Sequence, residues 1–369
     1  MANITLTDVV DANGKKIPYG KNRQISVLAK ATGYTNSALS NVVVYNSRPH
    51  INIDSDLVLH ITNCRAAATT YQLYNGETLK ASISYSGEDG GSVDYDLSSL
   101  TFDDSEVGVV KFTVKGVGEN VEDNCSKMLA ATYSTEDGLK LGSTTLSENS
   151  PELIAAIAES GQASKYWSVG DEIDIAMDGT DYTFVILGFN HDDKADGSGK
   201  ASVTFGMKNL YSTSTRYMNS SSTNAGGWSS SYMRNTVMPE MLAKLPAGWQ
   251  NIIKEISKKS GTGGGTSSGT QPTTDKLFLL SEREVFASRS YSVPDEFNAC
   301  EQYAYYRDIA NTNALRVKKY SNGTGSAYYW WLRSPYTGNS VYFCNVYSDG
   351  SASNIGAGSS YGVSFGFCI

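Results

Sequence analysis

The residue types best suited to molecular recognition concentrate in one stretch near the carboxyl end, residues 336–361. Six Ser, four Gly, four Tyr and three Asn account for 17 of its 26 residues. Tyrosine offers a large amphipathic surface with few rotatable bonds, whereas Ser, Gly and Asn adapt their hydrogen bonds to a partner. This composition is typical of antibody binding loops and indicates a ligand-binding surface. A loop region of the same composition that binds nothing is the alternative.

Four tyrosines are the predicted aromatic anchors of this surface, because such side chains dominate binding hot spots. Smaller side chains beside them are predicted to make the polar contacts. The predicted ligand-binding residues are Tyr336, Asn339, Tyr342, Asn345, Tyr347, Asp349, Ser353, Asn354, Ser359, Ser360 and Tyr361. We assign Val341, Phe343 and Val346 to the core of the strands that carry the loops.

Binding loops need a scaffold that fixes their geometry. Trp330 and Trp331 precede the polar stretch, and Phe365 and Phe367 follow it in an alternating segment. This pattern predicts two packed strands in one sheet, which would hold the loops between them. Arg333 is predicted to make structural hydrogen bonds within the scaffold. A sugar-stacking platform is the alternative role for the Trp pair, although core packing is favoured.

The length of 369 residues allows two or three domains. Short alternating runs separated by turn residues predict an all-β module over residues 1–135, for which an immunoglobulin-like sandwich is one possible form. The polar segment 136–149 is the predicted linker. Residues 150–369 are predicted to form an α+β domain that opens on a helix, with Ser150 as its N-cap and Pro151 in its first turn.

A tract inside the second domain is of low complexity. Residues 260–274 consist mostly of Gly, Thr and Ser, and as a flexible coil they would span roughly 20 Å root-mean-square. The apolar segments on either side look like partners in one core. We therefore predict a flexible insertion that bulges from the second domain and does not divide it.

Other residue patterns do not amount to a metal site or a catalytic site. The segment that begins at Asp192 is similar to a calcium-binding loop, but Lys194 and Val203 occupy positions that need oxygen ligands. Five widely spaced cysteines without a Cys-x-x-Cys pair fit reduced, mostly buried thiols. None has a base close to it in sequence, as a nucleophile requires. The sequence therefore predicts no metal, no cofactor and no enzyme activity.

The charge balance limits the partners. The net charge is −8, and no run of Lys and Arg is interleaved with aromatic residues, so a nucleic-acid partner is not expected. The first residues show neither the basic start nor the apolar run of a signal peptide. No stretch approaches the roughly 18 apolar residues of a membrane span, so membrane insertion is not expected either.

Six phrases in the second half of the chain carry a resemblance to a known family. They are Trp167–Asp171, Ile186–Asp192, Gly226–Trp228 with Ser231–Arg234, Leu279–Val285, Trp330–Pro335 and Gly362–Ile369. In this order they resemble a bacterial and phage domain of the C-type lectin fold, in the branch that includes the formylglycine-generating enzymes. The resemblance covers roughly residues 150–369 and implies a C-type lectin fold for that part of the chain.

Members of this group include the variable proteins of diversity-generating retroelements, whose gene ends are rewritten by copying with errors at adenines. The resemblance implies a hypervariable region within residues 330–369, displayed on a constant scaffold. Errors at the first two positions of an AAC or AAT codon cannot produce Lys, Glu, Gln, Met or Trp. None of these five residue types occurs in residues 336–361.

The predicted function is therefore recognition of a variable target, a protein or a cell-surface receptor. A phage virion is the favoured location, with the bacterial cell surface or the cytoplasm as alternatives, and the N-terminal module could attach to other virion proteins. Two other functions stay open. One is an oxidase of the formylglycine-generating type, for which Cys344 and Cys368 are the late cysteine pair. The other is a structural virion or surface protein whose loops bind nothing.

Overall fold

The chain forms two compact units, residues 1–142 and 143–369. The computed structural model describes residues 23–25, 43–45, 48–118, 125–212 and 215–369. The boundary between the units lies inside the segment predicted as a linker, residues 136–149. That segment is not irregular throughout, because it contains a strand and a short 3-10 turn.

Antiparallel strands form most of the regular structure in the described part of the first unit. The strands are β1 (Arg23–Ile25), β2 (Val43–Tyr45), β3 (His50–Ile53), β4 (Val58–Cys64), β5 (Thr70–Asn75), β6 (Thr78–Ser84), β7 (Gly91–Asp96), β8 (Gly108–Val117), β9 (Leu129–Ser134) and β10 (Gly138–Leu141). One sheet has the order β10-β9-β8-β5-β6 and another the order β3-β4-β7. Leu59 and Ile61 of β4 share a buried core with Tyr71 of β5 and Phe112 of β8, so the two sheets pack against each other.

The β-rich character predicted for residues 1–135 agrees with these strands. Among the described residues of this unit, the helical segments are two 3-10 turns, Leu97–Ser99 and Asp104–Glu106. The parts of the prediction that fall on residues 1–22, 26–42, 46–47 and 119–124 lie outside the described residues. The immunoglobulin-like form stays a prediction.

The second unit combines short helices with antiparallel strands and is of mixed class. Its strands are β11 (Glu172–Met177), β12 (Thr180–Phe189), β13 (Val203–Met207), β14 (Ile256–Gly261), β15 (Thr270–Asp275), β16 (Leu277–Leu279), β17 (Lys318–Lys319), β18 (Ala327–Tyr328), β19 (Trp330–Pro335), β20 (Tyr342–Val346), β21 (Ala352–Gly356) and β22 (Phe365–Cys368). Its α-helices are α1 (Pro151–Glu159), α2 (Ala163–Tyr166), α3 (Gly227–Ser230), α4 (Met238–Lys244), α5 (Ala247–Ile252), α6 (Glu282–Val285), α7 (Pro294–Ala299) and α8 (Asn313–Arg316). In the described parts of both units, no helix has the length and apolarity needed to span a membrane.

The last strand of the chain lies inside the main sheet of the second unit. The order of that sheet is β11-β12-β13-β22-β16, and each neighbouring pair is antiparallel. Phe365 and Phe367 of β22 contact Phe184, with ring centroids 5.6 and 5.4 Å apart. Phe367 also contacts Phe205 and Trp249, at 5.3 and 5.7 Å. The alternation at the chain end therefore places an aromatic layer in the core.

A smaller sheet of three strands, β19-β20-β21, carries the loops of residues 336–361. The central strand is β20, which is paired on both edges. Trp330 and Trp331 of β19 are fully buried, and their Nε1–H groups donate to main-chain carbonyl oxygens at 3.0 and 2.7 Å. Neither ring is open to a sugar, so the Trp pair packs in the core and is not a stacking platform.

The predicted helix start at Ser150 is confirmed. The Oγ of Ser150 accepts a hydrogen bond from the N–H of Leu153 at 3.3 Å, and Pro151 occupies the first turn of α1. Leu153 and Ile154 are buried on the inner face of the helix. The helix ends before Gly161, whose φ of +75° belongs to the left-handed region that glycine adopts without steric cost.

The prediction of a flexible coil over residues 260–274 is wrong at both ends of that tract, because residues 260–261 and 270–274 belong to strands. β14 and β15 form an antiparallel hairpin of six residue pairs. The second arm is rich in Thr, whose β-branched side chain suits a pleated strand. In the turn, Gly263, Gly264 and Gly265 have φ values of +68°, +72° and +76°, a backbone that side chains with a Cβ rarely adopt. The low-complexity sequence therefore covers the loop of the hairpin, residues 262–269, and parts of both strands.

Candidate ligand-binding surface

The polar stretch 336–361 contains strands β20 and β21 of the small sheet together with the loops that adjoin them. Its three connecting segments are residues 336–341 between β19 and β20, residues 347–351 between β20 and β21, and residues 357–364 between β21 and β22. Main-chain hydrogen bonds close the first two loops: the N–H of Tyr336 donates to the carbonyl of Tyr342 at 3.0 Å, and that of Tyr347 to Ser351 at 2.8 Å. The sheet therefore determines where the loop side chains emerge.

Four tyrosines, Tyr328, Tyr329, Tyr347 and Tyr361, form an aromatic group that we call the tyrosine cluster. The ring of Tyr347 meets that of Tyr329 edge-on, with centroids 4.3 Å apart and planes at 78°. Tyr361 lies 5.0 Å from Tyr329 and 5.3 Å from the buried Trp331. Tyr347 keeps 40% of its surface exposed. The cluster therefore combines an exposed tyrosine, Tyr347, with contacts to the buried Trp331 through Tyr361.

Two phenols of the tyrosine cluster are held in their neutral form. The hydrogen bond with Tyr347, followed by burial, raises the pKa of Tyr329 to about 12. Burial raises the pKa of Tyr361, with further contributions from Tyr328 and Tyr347. A neutral phenol O–H both donates and accepts hydrogen bonds. These side chains therefore offer a ligand apolar ring area together with polar tips.

The other two predicted anchors form a stacked pair. The rings of Tyr336 and Tyr342 lie 6.3 Å apart with planes at 13°, and Tyr291 contacts Tyr336 edge-on at 5.8 Å. Both members of the pair are half-buried. The four predicted anchors are therefore divided between two groups of ring contacts, the tyrosine cluster and this pair.

Two of the residues predicted to make polar contacts, Ser353 and Asn354, project to opposite faces of the small sheet. Asn354 lies opposite Cys344 across the β20–β21 pair, and Ser353 lies opposite Asn345. Consecutive residues of a strand project to opposite faces, and both Ser353 and Asn354 are half-buried. A ligand that rests on one face of the sheet can therefore reach only one of them.

The structure corrects the prediction for Asn345. This residue is only 1% exposed. It lies on the central strand β20, where Phe343–Val346 are all buried, so both faces of the strand are covered there. Within the described part of the chain, its Oδ1 is buried without a hydrogen-bond partner. A ligand could reach this amide only if the sheet opened.

The remaining predicted polar residues lie in turns and use part of their bonding capacity locally. The Oδ1 of Asn339 accepts from the N–H of Val341 at 2.9 Å. The Oδ1 of Asp349 accepts from the N–H and the Oγ–H of Ser351 at 2.9 and 2.6 Å, and these bonds lower the pKa of Asp349. The predicted polar residues that are exposed or half-buried are Asn339, Asp349, Ser353, Asn354, Ser359 and Ser360.

A buried amide, that of Asn224, connects the β19–β20 loop with the rest of the unit. Asn224 is fully buried. Its Nδ2 lies within hydrogen-bond distance of the main-chain carbonyls of Tyr336 (3.3 Å), Asn339 (2.8 Å) and Tyr342 (2.7 Å). Its Oδ1 accepts from the N–H of Gly264 at 2.7 Å. Sequence reasoning missed this residue because its three acceptors lie 112 to 118 positions away.

Sequence reasoning also missed parts of the surface outside residues 336–361. Tyr328 and Tyr329 belong to the tyrosine cluster, and the run of four aromatic residues that they open was the available signal. A Cβ at Gly358 would lie 3.2 Å from the Oγ of Ser222, so the exposed loop 220–222 borders the surface. Its neighbourhood, Asn-Ser-Ser-Ser-Thr-Asn over residues 219–224, repeats the composition of the polar stretch.

A buried ionic network lies at the base of β19. Arg333 is fully buried and donates to both carboxylate oxygens of Glu284, at 2.5 and 2.8 Å. Lys258 bridges Glu284, at 3.0 Å, and Asp192. Burial by itself would raise the pKa of Glu284, but Arg333 and Lys258 lower it to about 2. Arg333 also donates to the carbonyl of Leu279 at 2.9 Å, so it ties β19 to β16.

A pocket of about 180 Å³ opens beside this network. Its walls include His191, Lys259 and Cys300. Burial raises the pKa of the Cys300 thiol to about 11, so the thiol keeps its proton at neutral pH and is a weak nucleophile. Among the described residues, no group of three or more His, Cys, Asp or Glu side chains is arranged to hold a metal ion.

The two late cysteines lie on different sheets. Cys344 is on β20 and Cys368 is on β22, and both are buried free thiols. Burial raises the pKa of each thiol. Cys368 contacts the Oγ1 of Thr204 at 3.3 Å and a carboxylate oxygen of Asp192 at 3.4 Å. Neither cysteine is part of the wall of the 180 Å³ pocket.

The part of the chain that carries the candidate surface is similar to a known family. Residues 201–369 match DUF6273, a domain of unknown function. This segment includes the strands β13 to β22 and the whole tyrosine cluster. Comparisons with curated proteins and with solved structures give no match.

Proposed function

We propose that the second unit binds a ligand, a protein or a cell-surface receptor, through residues 336–361 and the tyrosine cluster. The packing of Tyr347 carries this proposal. Tyr347 is 40% exposed, and its ring is held edge-on by Tyr329 with the centroids 4.3 Å apart. A ring that is oriented before the partner arrives loses little conformational entropy on binding.

The chemistry around the rings favours a partner recognised by aromatic and polar contacts. Asp349 is the one charged side chain in residues 336–361. Charge attraction therefore contributes little, and a few Tyr anchors would supply most of the affinity. A protein partner would be expected to cover on the order of 800 Å² of this surface.

We also propose that the second unit has the C-type lectin fold of retroelement variable proteins, in the formylglycine-generating branch. The six sequence phrases support this assignment. The return of β22 to the interior of the main sheet is compatible with it. The absence of Lys, Glu, Gln, Met and Trp from residues 336–361 agrees with mutagenesis directed at adenines.

The proposed location is a phage virion, with the bacterial cell surface or the cytoplasm as alternatives. In a virion, the first unit would attach the chain to other virion proteins. The net charge of −8 argues against a phosphate-backbone partner, because nucleic-acid binders carry basic surfaces. A target on a cell surface would suit a protein displayed by a phage.

Sequencing the gene in closely related isolates tests the retroelement assignment. Substitutions should cluster in codons 336–361, at AAC or AAT triplets of a nearby template repeat that lies next to a reverse transcriptase gene. Codons for the buried strand Phe365–Cys368 should stay constant. Substitutions spread evenly along the gene, with no template repeat, would contradict the assignment.

A further inference from the structure

The loop of residues 336–342 is attached to the scaffold through its own main chain. Three of its carbonyl oxygens, those of Tyr336, Asn339 and Tyr342, lie within hydrogen-bond distance of the Nδ2 of the fully buried Asn224 and share its two N–H donors. A fourth, that of Ser340, accepts from the backbone N–H of Asn224 at 2.7 Å. No side chain of the loop takes part in these four contacts.

The other side of the same amide faces the turn between β14 and β15. The Oδ1 of Asn224 accepts from the N–H of Gly264 at 2.7 Å. A Cβ at Gly263 would overlap the carbonyl oxygen of Asn224, so this turn and Asn224 are in close contact. The Oγ1 of Thr337 donates to the carbonyl of Thr266 at 3.1 Å. Asn224 therefore joins the loop to a hairpin of the scaffold.

We infer that Asn224 is a positioning residue that fixes the backbone of residues 336–342 without contacting their side chains. The inference rests on the proposed function, because a loop with variable side chains needs a main chain that stays in place. Every residue type supplies a carbonyl, so the same bonds form after Tyr336, Asn339 or Tyr342 is replaced. An amide suits this role because it donates to carbonyls on one side and accepts from an N–H on the other.

The competing source of order is the set of side-chain contacts inside the loop. The Oδ1 of Asn339 holds the N–H of Val341 at 2.9 Å, and Tyr336 stacks on Tyr342 at 6.3 Å. These contacts disappear when the side chains change. The two sources of order therefore predict opposite results for substitutions in the loop.

Hydrogen exchange of the loop amides in the free protein tests the inference. Asn224→Asp keeps the size of the side chain and the acceptor for Gly264 but removes the N–H donors. Exchange at the amides of Tyr336 and Thr337, which donate to Tyr342 and Tyr291, should become about ten-fold faster or more, since bonds to buried groups are lost. The amide of Gly264 should stay protected.

Asn149 provides a matched control. Its Nδ2 also lies within hydrogen-bond distance of three carbonyls, and its Oδ1 accepts from a backbone N–H, all within residues 143–149. Asn149→Asp should therefore loosen residues 143–149 and leave Tyr336 and Thr337 unchanged. Unchanged exchange at Tyr336 and Thr337 in a folded Asn224→Asp variant would overturn the inference.

A second variant keeps the test decisive if Asn224→Asp does not fold. With Asn224 in place, the combined substitutions Tyr336→Ser, Asn339→Ser and Tyr342→Ser should change exchange at the amides of Thr337 and Gly264 by less than about three-fold. Exchange about ten-fold faster or more at both amides would show that the loop side chains hold the loop, and would overturn the inference. Because neither measurement uses a ligand, failure of the proposed binding function would not affect the result.

Discussion

The ring of Tyr347 stands at 78° to the ring of Tyr329, with the two centroids 4.3 Å apart. Tyr347 belongs to the turn between β20 and β21, whereas Tyr329 directly precedes β19. Tyr329 is itself held by Tyr361 at 5.0 Å. A predicted anchor inside the polar stretch is therefore oriented by a residue outside it.

Truncation of the exposed anchor should weaken binding and leave the fold intact. Tyr347→Ala is expected to lower the affinity for the bacterial cells that the wild-type protein binds at least about ten-fold, because hot-spot tyrosines contribute this much to binding. Binding would be measured on a panel of fixed bacterial cells that includes the strain carrying the gene. The free energy of unfolding should fall by less than about 1 kcal/mol, because the ring is 40% exposed.

Tyr74→Ala is the control for that experiment. Tyr74 is a half-buried tyrosine of the first unit, so Tyr74→Ala makes the same substitution outside the candidate surface. Binding by this variant should equal that of the wild type. If Tyr347→Ala also bound as well as the wild type, the tyrosine cluster would not be the binding surface, and a structural role for the loops would gain support.

Removal of the Trp331 side chain should destabilise the second unit. Trp331 is fully buried and contacts Tyr361 at 5.3 Å, so Trp331→Ala leaves a large cavity beneath the cluster. The expected loss is about 3–5 kcal/mol in the free energy of unfolding, measured by urea denaturation followed by intrinsic fluorescence. A loss below about 1 kcal/mol would show that Trp331 is not a core residue.

The sequence predicted those elements whose signals are local. Alternation at the chain end indicated the strand that the structure places at Phe365–Cys368, and the Ser150-Pro151 pair indicated the start of α1. Such signals depend on residues a few positions apart. Nothing comparable shows whether both faces of a strand are covered, so Asn345 looked like a surface residue although Phe343–Val346 of β20 are all buried.

Low complexity misled the sequence reading over residues 260–274. Gly and Ser are typical of coil, but a hairpin turn needs the same residue types, and pairing with β14 decides between the two. Asn224 illustrates the other limit, because its partners are distant in sequence and are main-chain atoms. A residue whose hydrogen bonds go to main-chain atoms leaves no pattern in the side chains of the segment that it supports.

Removal of one partner from the buried ionic network should be costly. Arg333→Met leaves Glu284 buried with Lys258 as its remaining cation, and breaking a buried pair in this way costs about 3–5 kcal/mol. Lys200→Met is the control, because Lys200 and Asp193 form an exposed pair at 3.2 Å worth at most about 1 kcal/mol. Equal effects of the two variants on urea denaturation would contradict the prediction.

The stability of the second unit should fall as the pH rises from 5 to 7. Glu296 is fully buried and contacts the Oγ of Ser334 at 2.5 Å and the N–H of Gly261 at 2.7 Å. Burial, opposed by Arg333, raises its pKa from 4.5 to about 7. The folded state keeps a proton that the unfolded chain releases above pH 4.5. The stabilisation is therefore complete below pH 4.5 and is lost as the pH passes 7, a change of about 3 kcal/mol.

Glu296→Gln isolates this contribution, because an amide keeps both contacts and does not titrate. The variant is expected to lose about 2 kcal/mol less stability than the wild type between pH 5 and 7, measured by urea denaturation at each pH. His60 acts in the same direction in both proteins, since its hydrogen bonds to Asp94 and Asp54 raise its pKa. Parallel stability curves for wild type and Glu296→Gln would show that Glu296 is already ionised in the folded state at pH 5.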